Sequence, residues 1–343
     1  MTEFSHAVTL WLPKLGDTLK SQPREELSSL KLPALQVLLA KADAFGAVAD
    51  DFYSRGCYLF HQQQTLPVAS TMAATQITDS GKDFWIRAEP VQMIADRDSL
   101  VMMPPETLSI TAAESEALFE AFNRHFKVDG LQLEWGSHQD WYCRLPQIID
   151  LTTTPLIDAI YQNVNSLYPK GSAARYWHQL INETQMLFHT HPVNEARRLN
   201  GQPEINSLWF WGEGQYDHSQ VILRKEVTLW SDDLYLKGLA KRTQALTQNA
   251  VKNSQAWLTL AAQQSSDQHL IHLDDFSNKT MAVSGIEGLK QLEVEWFSPL
   301  LEQLQLQQIH SLLLDFGGTQ RYHLTPKHLK RFWHFRKALN RHL

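Results

Sequence analysis

Residues 270–318 hold the pattern that decides the fold: Leu270-Ile271-His272-Leu273, then a helix-periodic segment, then Ser311-Leu312-Leu313-Leu314-Asp315-Phe316-Gly317-Gly318. The first run is short and apolar and reads as a strand. Ile286, Leu289, Leu292, Trp296, Phe297, Leu300 and Leu304 recur at the 3.6-residue helical period on one face. The second apolar run ends in an acidic, glycine-rich turn, as a buried strand does. Strand, helix and strand in this order predict parallel strands joined by a covering helix.

The same alternation extends backward. Residues 205–211 form an apolar run closed by Gly212, and residues 221–223 and 227–230 are further strand candidates. Ser231 is placed to cap a helix carrying Leu234, Leu236 and Leu239, and Ser172 one carrying Trp177, Leu180, Ile181 and Phe188. At the start, residues 8–12 read as a short edge strand. Leu32-Pro33-Ala34-Leu35 opens a helix with proline in its first turn, stopped near Gly46. Thr325-Pro326 starts a last helix, whose Lys327, Lys330, Arg331, Arg336 and Lys337 read as a solvated basic face.

Between these parts lies a different texture. Residues 85–93 and 100–103 alternate like strands. Thr111-Ala112-Ala113-Glu114 is a capping box before the apolar stripe Leu118, Phe119, Phe122 and Phe126. Leu131, Leu133 and Trp135 face Trp141, Cys143 and Leu145 across a polar turn, which is a hairpin. Thr152-Thr153-Thr154-Pro155 reads as a linker. The expected organisation is therefore α/β: a mostly parallel sheet with helices on both faces, spanning residues 1–82 and 156–343, interrupted by a smaller α+β unit at 83–155.

Composition narrows the class. The 343 residues are 43% hydrophobic and 20% charged, a globular balance with eleven tryptophans for the core. A net charge of −6 lacks the basic excess of a duplex nucleic-acid binder. Two cysteines are too few for a disulfide framework. The start has no basic, apolar leader, and no apolar run approaches the ~20 residues of a membrane span. These features predict a cytoplasmic protein with neither nucleic acid nor membrane as partner.

The densest chemical signal is His189-Thr190-His191-Pro192-Val193-Asn194-Glu195-Ala196-Arg197-Arg198, followed by Gly201 and by Asn206-Ser207-Leu208-Trp209-Phe210-Trp211-Gly212-Glu213-Gly214. Asn194 and Arg197 share a helix face, and a guanidinium grips a phosphate or carboxylate with two parallel N–H bonds. Gly212 and Gly214 would let backbone N–H groups approach an anion. His191, Asn194, Arg197, Asn206, Gly212 and Gly214 are thus the candidate ligand-binding set. The bland reading is a helix–loop–strand junction stitched by polar side chains. His189-x-His191 is half of a metal pattern without visible partners. Asp274, Asp275 and Asp315 lie at strand ends, where α/β folds keep their sites, and are the candidate metal ligands; acidic residues also begin turns. No nucleophile stands out; Ser70 and Ser80 lack context.

The run from Trp177 to Gly214 resembles the signature of RpfE-type proteins: Trp177, Asn182-Glu183, Gln185-Met186, His191-Pro192-Val193-Asn194, Arg197, Gly201, Asn206-Ser207-Leu208-Trp209 and Trp211-Gly212-Glu213-Gly214. Ala95-Asp96-Arg97, Trp141-Tyr142-Cys143-Arg144-Leu145 and residues 150–155 are similar too. The segment order further resembles archaeal-type cofactor-independent phosphoglycerate mutases of the alkaline-phosphatase superfamily. That resemblance implies an alkaline-phosphatase-like core, two divalent metals (Mn or Mg) held by Asp and His, and a metal-bound serine. This chain departs from it: the first strand runs into Leu12-Pro13-Lys14 where Asp-Gly is expected, and Asp315-Phe316 stands where Asp-His is expected. The resemblance therefore implies a degenerate relative without the two-metal site and with no cofactor, which binds a small phosphorylated metabolite or a protein partner in regulation, Lys14 standing where a cation sat. The alternative is a working mutase or phosphatase with rearranged ligands and two metals.

Overall fold

A computed structural model describes residues 6–47, 49, 51–81, 83–96, 99–273, 285–335 and 339. The chain divides into two compact units, Met1–Thr65 with Val221–Leu343, and Leu66–Gln220.

The first unit is built on a seven-stranded sheet. Its order is β10 (Leu246–Gln248), β9 (Val227–Trp230), β11 (Gln268–His272), β1 (His6–Trp11), β12 (Ile309–Asp315), β13 (Gln320–Leu324) and β2 (Asp43–Gly46). The first five strands are parallel; β13 pairs antiparallel with β12, and β2 antiparallel with β13. The strand expected at the edge is instead central: β1 lies between β11 and β12. Alternation divides the sheet into two faces. Val8, Leu10, Ile271, Leu312 and Leu314 join Trp230, Trp257, Trp296 and Phe297 in one buried core. Thr9, Trp11, His272, Leu313 and Asp315 point to the other face, where Phe52–Leu59 and Leu234–Thr243 pack.

The periodic segment 286–304 is one run of helix interrupted by a π turn. Gly285–Leu292 passes through a π-helical Glu293–Phe297 into Ser298–Gln305. Pro299 is the reason: it has no N–H, and its ring cannot tolerate the carbonyl four residues back. That carbonyl, of Glu295, accepts 2.6 Å from the Ser254 hydroxyl. The turn also directs the Glu293 carboxylate, 6% exposed, onto the start of the helix Pro33–Lys41. It accepts from Ala34 N at 2.5 Å and Leu35 N at 3.0 Å, satisfying two first-turn donors with a charge of the favourable sign.

The second unit carries an antiparallel sheet, β6 (Leu133–Trp135), β7 (Trp141–Leu145), β3 (Phe84–Val91) and β8 (Ser207–Gln215), with a separate pair β4 (Met93–Asp96) and β5 (Ser99–Met102). The hairpin and the capping box appear as expected: Thr111 accepts from Glu114 N, and Glu114 accepts from Thr111 N.

The expected boundary at 83–155 is too narrow. β3 pairs with β8 along its whole length, so the α+β unit extends to Gln220. Without β8 one edge of β3 would lie unpaired. Residues 152–155 are no linker: Thr153 N donates to Glu213 Oε1 at 3.1 Å, and Trp209 Nε1 to Thr154 O at 2.9 Å. Smaller corrections follow from local hydrogen bonding. The caps are Ala173 and Asp233, not Ser172 and Ser231; Ser231 Oγ instead accepts from Asp233 N. Residues 221–223 form no strand, and Gly46 ends β2 while the preceding helix stops at Lys41. The last described helix is one turn, Pro326–Leu329; Arg336 and Lys337 lie outside the described residues, as does Arg97. Among the described residues no helix is long and apolar enough to cross a membrane.

Candidate functional site

The carboxyl ends of β11, β1 and β12 bring three side chains into one row. Register places Trp11 opposite both His272 and Asp315, all on the same face. Trp11 and Asp315 are fully buried and His272 nearly so.

The helix Phe52–Leu59 completes the row. Asp51 caps it, accepting from Ser54 N at 2.9 Å, and this start directs Phe52 and Arg55, three residues apart, toward the strand ends. Phe52 stacks on Trp11 with ring centres 4.9 Å apart and planes at 18°. Arg55 Nη1 lies 3.1 Å from each Asp315 oxygen, and its Nη2 donates to Gly318 O at 2.9 Å. Gly317 N adds a third hydrogen bond to the Asp315 carboxylate, donating to Oδ1 at 2.9 Å. Gly317 is at φ 76, and a β-carbon there would meet Pro13 O at 1.5 Å, so only glycine closes this turn. On the other side, His272 Nδ1 sits 2.9 Å from Ser231 Oγ.

Among the described residues this geometry does not fit a pair of divalent cations. A cation bound by Asp315 would have to displace Arg55 and share its surroundings with a buried guanidinium. The indole of Trp11 fills the end of the first strand, where a ligand is wanted. Among the described residues no group of three or more His, Cys, Asp or Glu is arranged to hold a metal. Asp274 and Asp275 lie outside the described residues. The positive charge at Asp315 comes from Arg55, whereas Lys14, the expected substitute, is exposed beside the helix Leu15–Ser21.

The motif cluster of the second unit plays a different part from the one expected. His191 caps the helix Pro192–Leu199, Nδ1 accepting from Val193 N at 3.2 Å, and partial burial lowers its pKa, with Arg124 adding to the effect. Asn194, fully buried, donates to Phe188 O and Ile205 O at 2.8 Å each and accepts from Ile205 N at 2.9 Å. Arg197 is 1% exposed; it donates to Pro203 O at 2.6 Å, to Glu114 Oε1 at 2.9 Å and to Leu108 O. Asn206 makes a reciprocal pair with the backbone of Met93 at 2.9 and 2.8 Å. Gly212 N donates to Thr153 Oγ1 at 3.0 Å, and a β-carbon on Gly214, at φ 150, would lie 2.5 Å from Pro67 Cβ.

The donors of Asn194, Arg197, Asn206 and Gly212 are thus committed to backbone carbonyls, to the Glu114 carboxylate and to the Thr153 hydroxyl. The reason is burial, because an enclosed N–H or C=O must find a partner inside the protein. Ser70 and Ser80 are buried in this same unit. Burial also pushes the Cys143 thiol up to about 12, which removes it as a nucleophile. The residues that sequence reasoning missed are Trp11, Phe52 and Arg55. The one local signal was Asp51, a helix cap four residues before an arginine.

No known family profile matches the chain. Over 134 residues it is 28% identical to a protein of Geobacter sulfurreducens described as “Probable 2,3-bisphosphoglycerate-independent phosphoglycerate mutase”, covering 39% of this chain and 34% of that protein. Over 61 residues it is 31% identical to the 2,3-bisphosphoglycerate-independent phosphoglycerate mutase of Methanosarcina mazei, covering 18% and 15%. The chain thus aligns with about a third or less of the length of these curated relatives. Among solved structures, the cofactor-independent phosphoglycerate mutase of Thermoplasma acidophilum superposes with a TM-score of 0.51 at 14% identity, over 98% of this chain and 94% of that one. The chain is phosphoglycerate mutase-like in fold. The PH0037 protein of Pyrococcus horikoshii has the same fold, with a TM-score of 0.60 at 12% identity over 94% and 87%. At such identities the mutase-like fold is what is shared.

Proposed function

We propose that this chain is a phosphoglycerate mutase-like protein of the RpfE type that does not carry out the metal-dependent mutase reaction. It acts in the cytoplasm as a regulatory or binding protein for a small phosphorylated metabolite or a protein partner. One observation carries this reading: the buried Arg55–Asp315 ion pair, under the stacked Trp11 and Phe52, at the strand ends where the fold keeps its chemistry.

Phosphoryl transfer relies on positioned positive charge and an in-line nucleophile, with little covalent work left for the protein. A guanidinium with both charge partners buried supplies positive charge but no exchangeable coordination site. The test is the purified chain assayed with 3-phosphoglycerate, with and without manganese, alongside elemental analysis. No turnover and no stoichiometric metal are expected. Metal-dependent turnover abolished by Asp315→Ala would overturn the proposal and establish an active mutase with rearranged ligands.

A further inference from the structure

The same sheet face that buries Trp11 and Asp315 opens toward the amino ends of its strands. There, beside Thr9 and Leu313, lies a cavity of about 200 Å³. Arg224, His61, His323, Ser311 and Gln268 contribute its polar lining, and Phe45 an apolar wall.

Arg224 is the unusual member. It is only 5% exposed. Its Nε contacts Glu226 Oε1 at 2.5 Å and its Nη2 donates to Gln268 Oε1 at 3.1 Å. Nη1 is buried and has no hydrogen-bond partner among the described residues. Buried guanidinium donors are ordinarily satisfied, so an unpaired one on a residue that lines a cavity points to a ligand acceptor. His61, another lining residue, has φ 54, a left-handed conformation that residues other than glycine seldom adopt. Ser311 Oγ lies 3.0 Å from His323 Nε2, so a hydroxyl and an imidazole share one wall.

We propose that this cavity binds a small oxyanion, inorganic phosphate or the phosphate group of a small monoester, with Arg224 as its principal contact. The charge sign follows from the guanidinium, which repels cations. The size follows from the volume, below the roughly 300–1,000 Å³ of pockets for drug-sized ligands. Phosphate suits the lining better than carboxylate, because donors approach from Arg224, from His61 and from the Ser311–His323 wall, and only a tetrahedral anion offers oxygens in all three directions. Burial, reinforced by Arg224, lowers the His61 pKa; burial likewise lowers that of His323. Both imidazoles can take up a proton when a dianion arrives.

This site lies toward the opposite ends of the strands from Asp315 and does not depend on the outcome of the mutase assay. The experiment is isothermal titration of the full chain with inorganic phosphate, with acetate as a parallel arm. Saturable one-to-one phosphate binding is expected, weakened about tenfold or more in Arg224→Gln and several-fold in His61→Asn, which tolerates the left-handed backbone. Arg198→Gln, in the other unit, should bind as the parent does. Circular dichroism confirms that each variant is folded; should Arg224→Gln fail to fold, His61→Asn decides. No phosphate binding tighter than about 10 mM, parental affinity in the deciding variant, or acetate binding as tight as phosphate would each overturn the proposal.

Discussion

Two of the buried arginines, Arg55 and Arg197, make ion pairs that do different things. Arg55 meets Asp315 with both side chains enclosed, at the strand ends where a sheet of this kind presents its chemistry. Arg197 meets Glu114, whose carboxylate is 21% exposed and already completes the capping box of the helix Ala112–Phe126. Arg197 stood inside the most conspicuous motif of the sequence, and Glu114 stood 83 positions before it. The first pair involved an arginine with no motif around it. Density of polar residues in a sequence therefore marked a junction that had to be stitched, while only the fold brought Arg55 to the strand end where Asp315 already stood as a candidate.

Arg55→Ala leaves Asp315 buried without its cation and should cost about 3–5 kcal/mol of stability, read by urea unfolding. The double replacement Arg55→Met with Asp315→Leu removes both charges and should restore most of that loss. A double variant as unstable as the single one would show that the pair matters through geometry beyond charge.

Arg197→Ala should cost about 2–3 kcal/mol, since the carbonyls of Pro203 and Leu108 and the Glu114 carboxylate lose their donor. Phosphate affinity measured calorimetrically should not change. A variant of full stability with weakened phosphate binding would return Arg197 to the role first expected of it.

Acid separates the two units next. Burial, with His6 nearby, pulls the pKa of His269 down from 6.5 to about 3; Trp230 Nε1 donates to its Nδ1 at 3.1 Å. The unfolded chain binds a proton that the folded imidazole refuses. Stability contributed by this group is present above about 6.5 and falls as pH drops from there toward about 3. His269→Gln should flatten that decline in thermal midpoints measured across the range.

The smallest effect concerns Glu114. Burial would raise its pKa, but the Thr111 backbone N–H and hydroxyl together with Arg197 outweigh it and hold it below the usual glutamate value. Its contribution is present above that value and is lost as pH falls through the lowered one. Glu114→Gln should therefore lose its difference from the parent protein in strongly acidic buffer. A difference that persists there would mean that packing rather than charge holds the pair.

Features that depend on near neighbours in the chain were legible before any tertiary contact was known. The capping box at Thr111 and Glu114, the hairpin of β6 and β7, and the helix stripes from Leu118 to Phe126 and from Leu289 to Leu304 all rest on contacts a few positions apart, so their periodicity was legible. The alternation of strand and helix likewise identified a mostly parallel sheet. Only the tertiary structure decided that β1 is central, that β8 completes the sheet of the second unit, and that Arg55 answers Asp315 across 260 positions of chain. The physical reason is that a strand carries the same alternation at an edge or in the middle. A buried charge, for its part, names no partner until the fold brings one within hydrogen-bond reach.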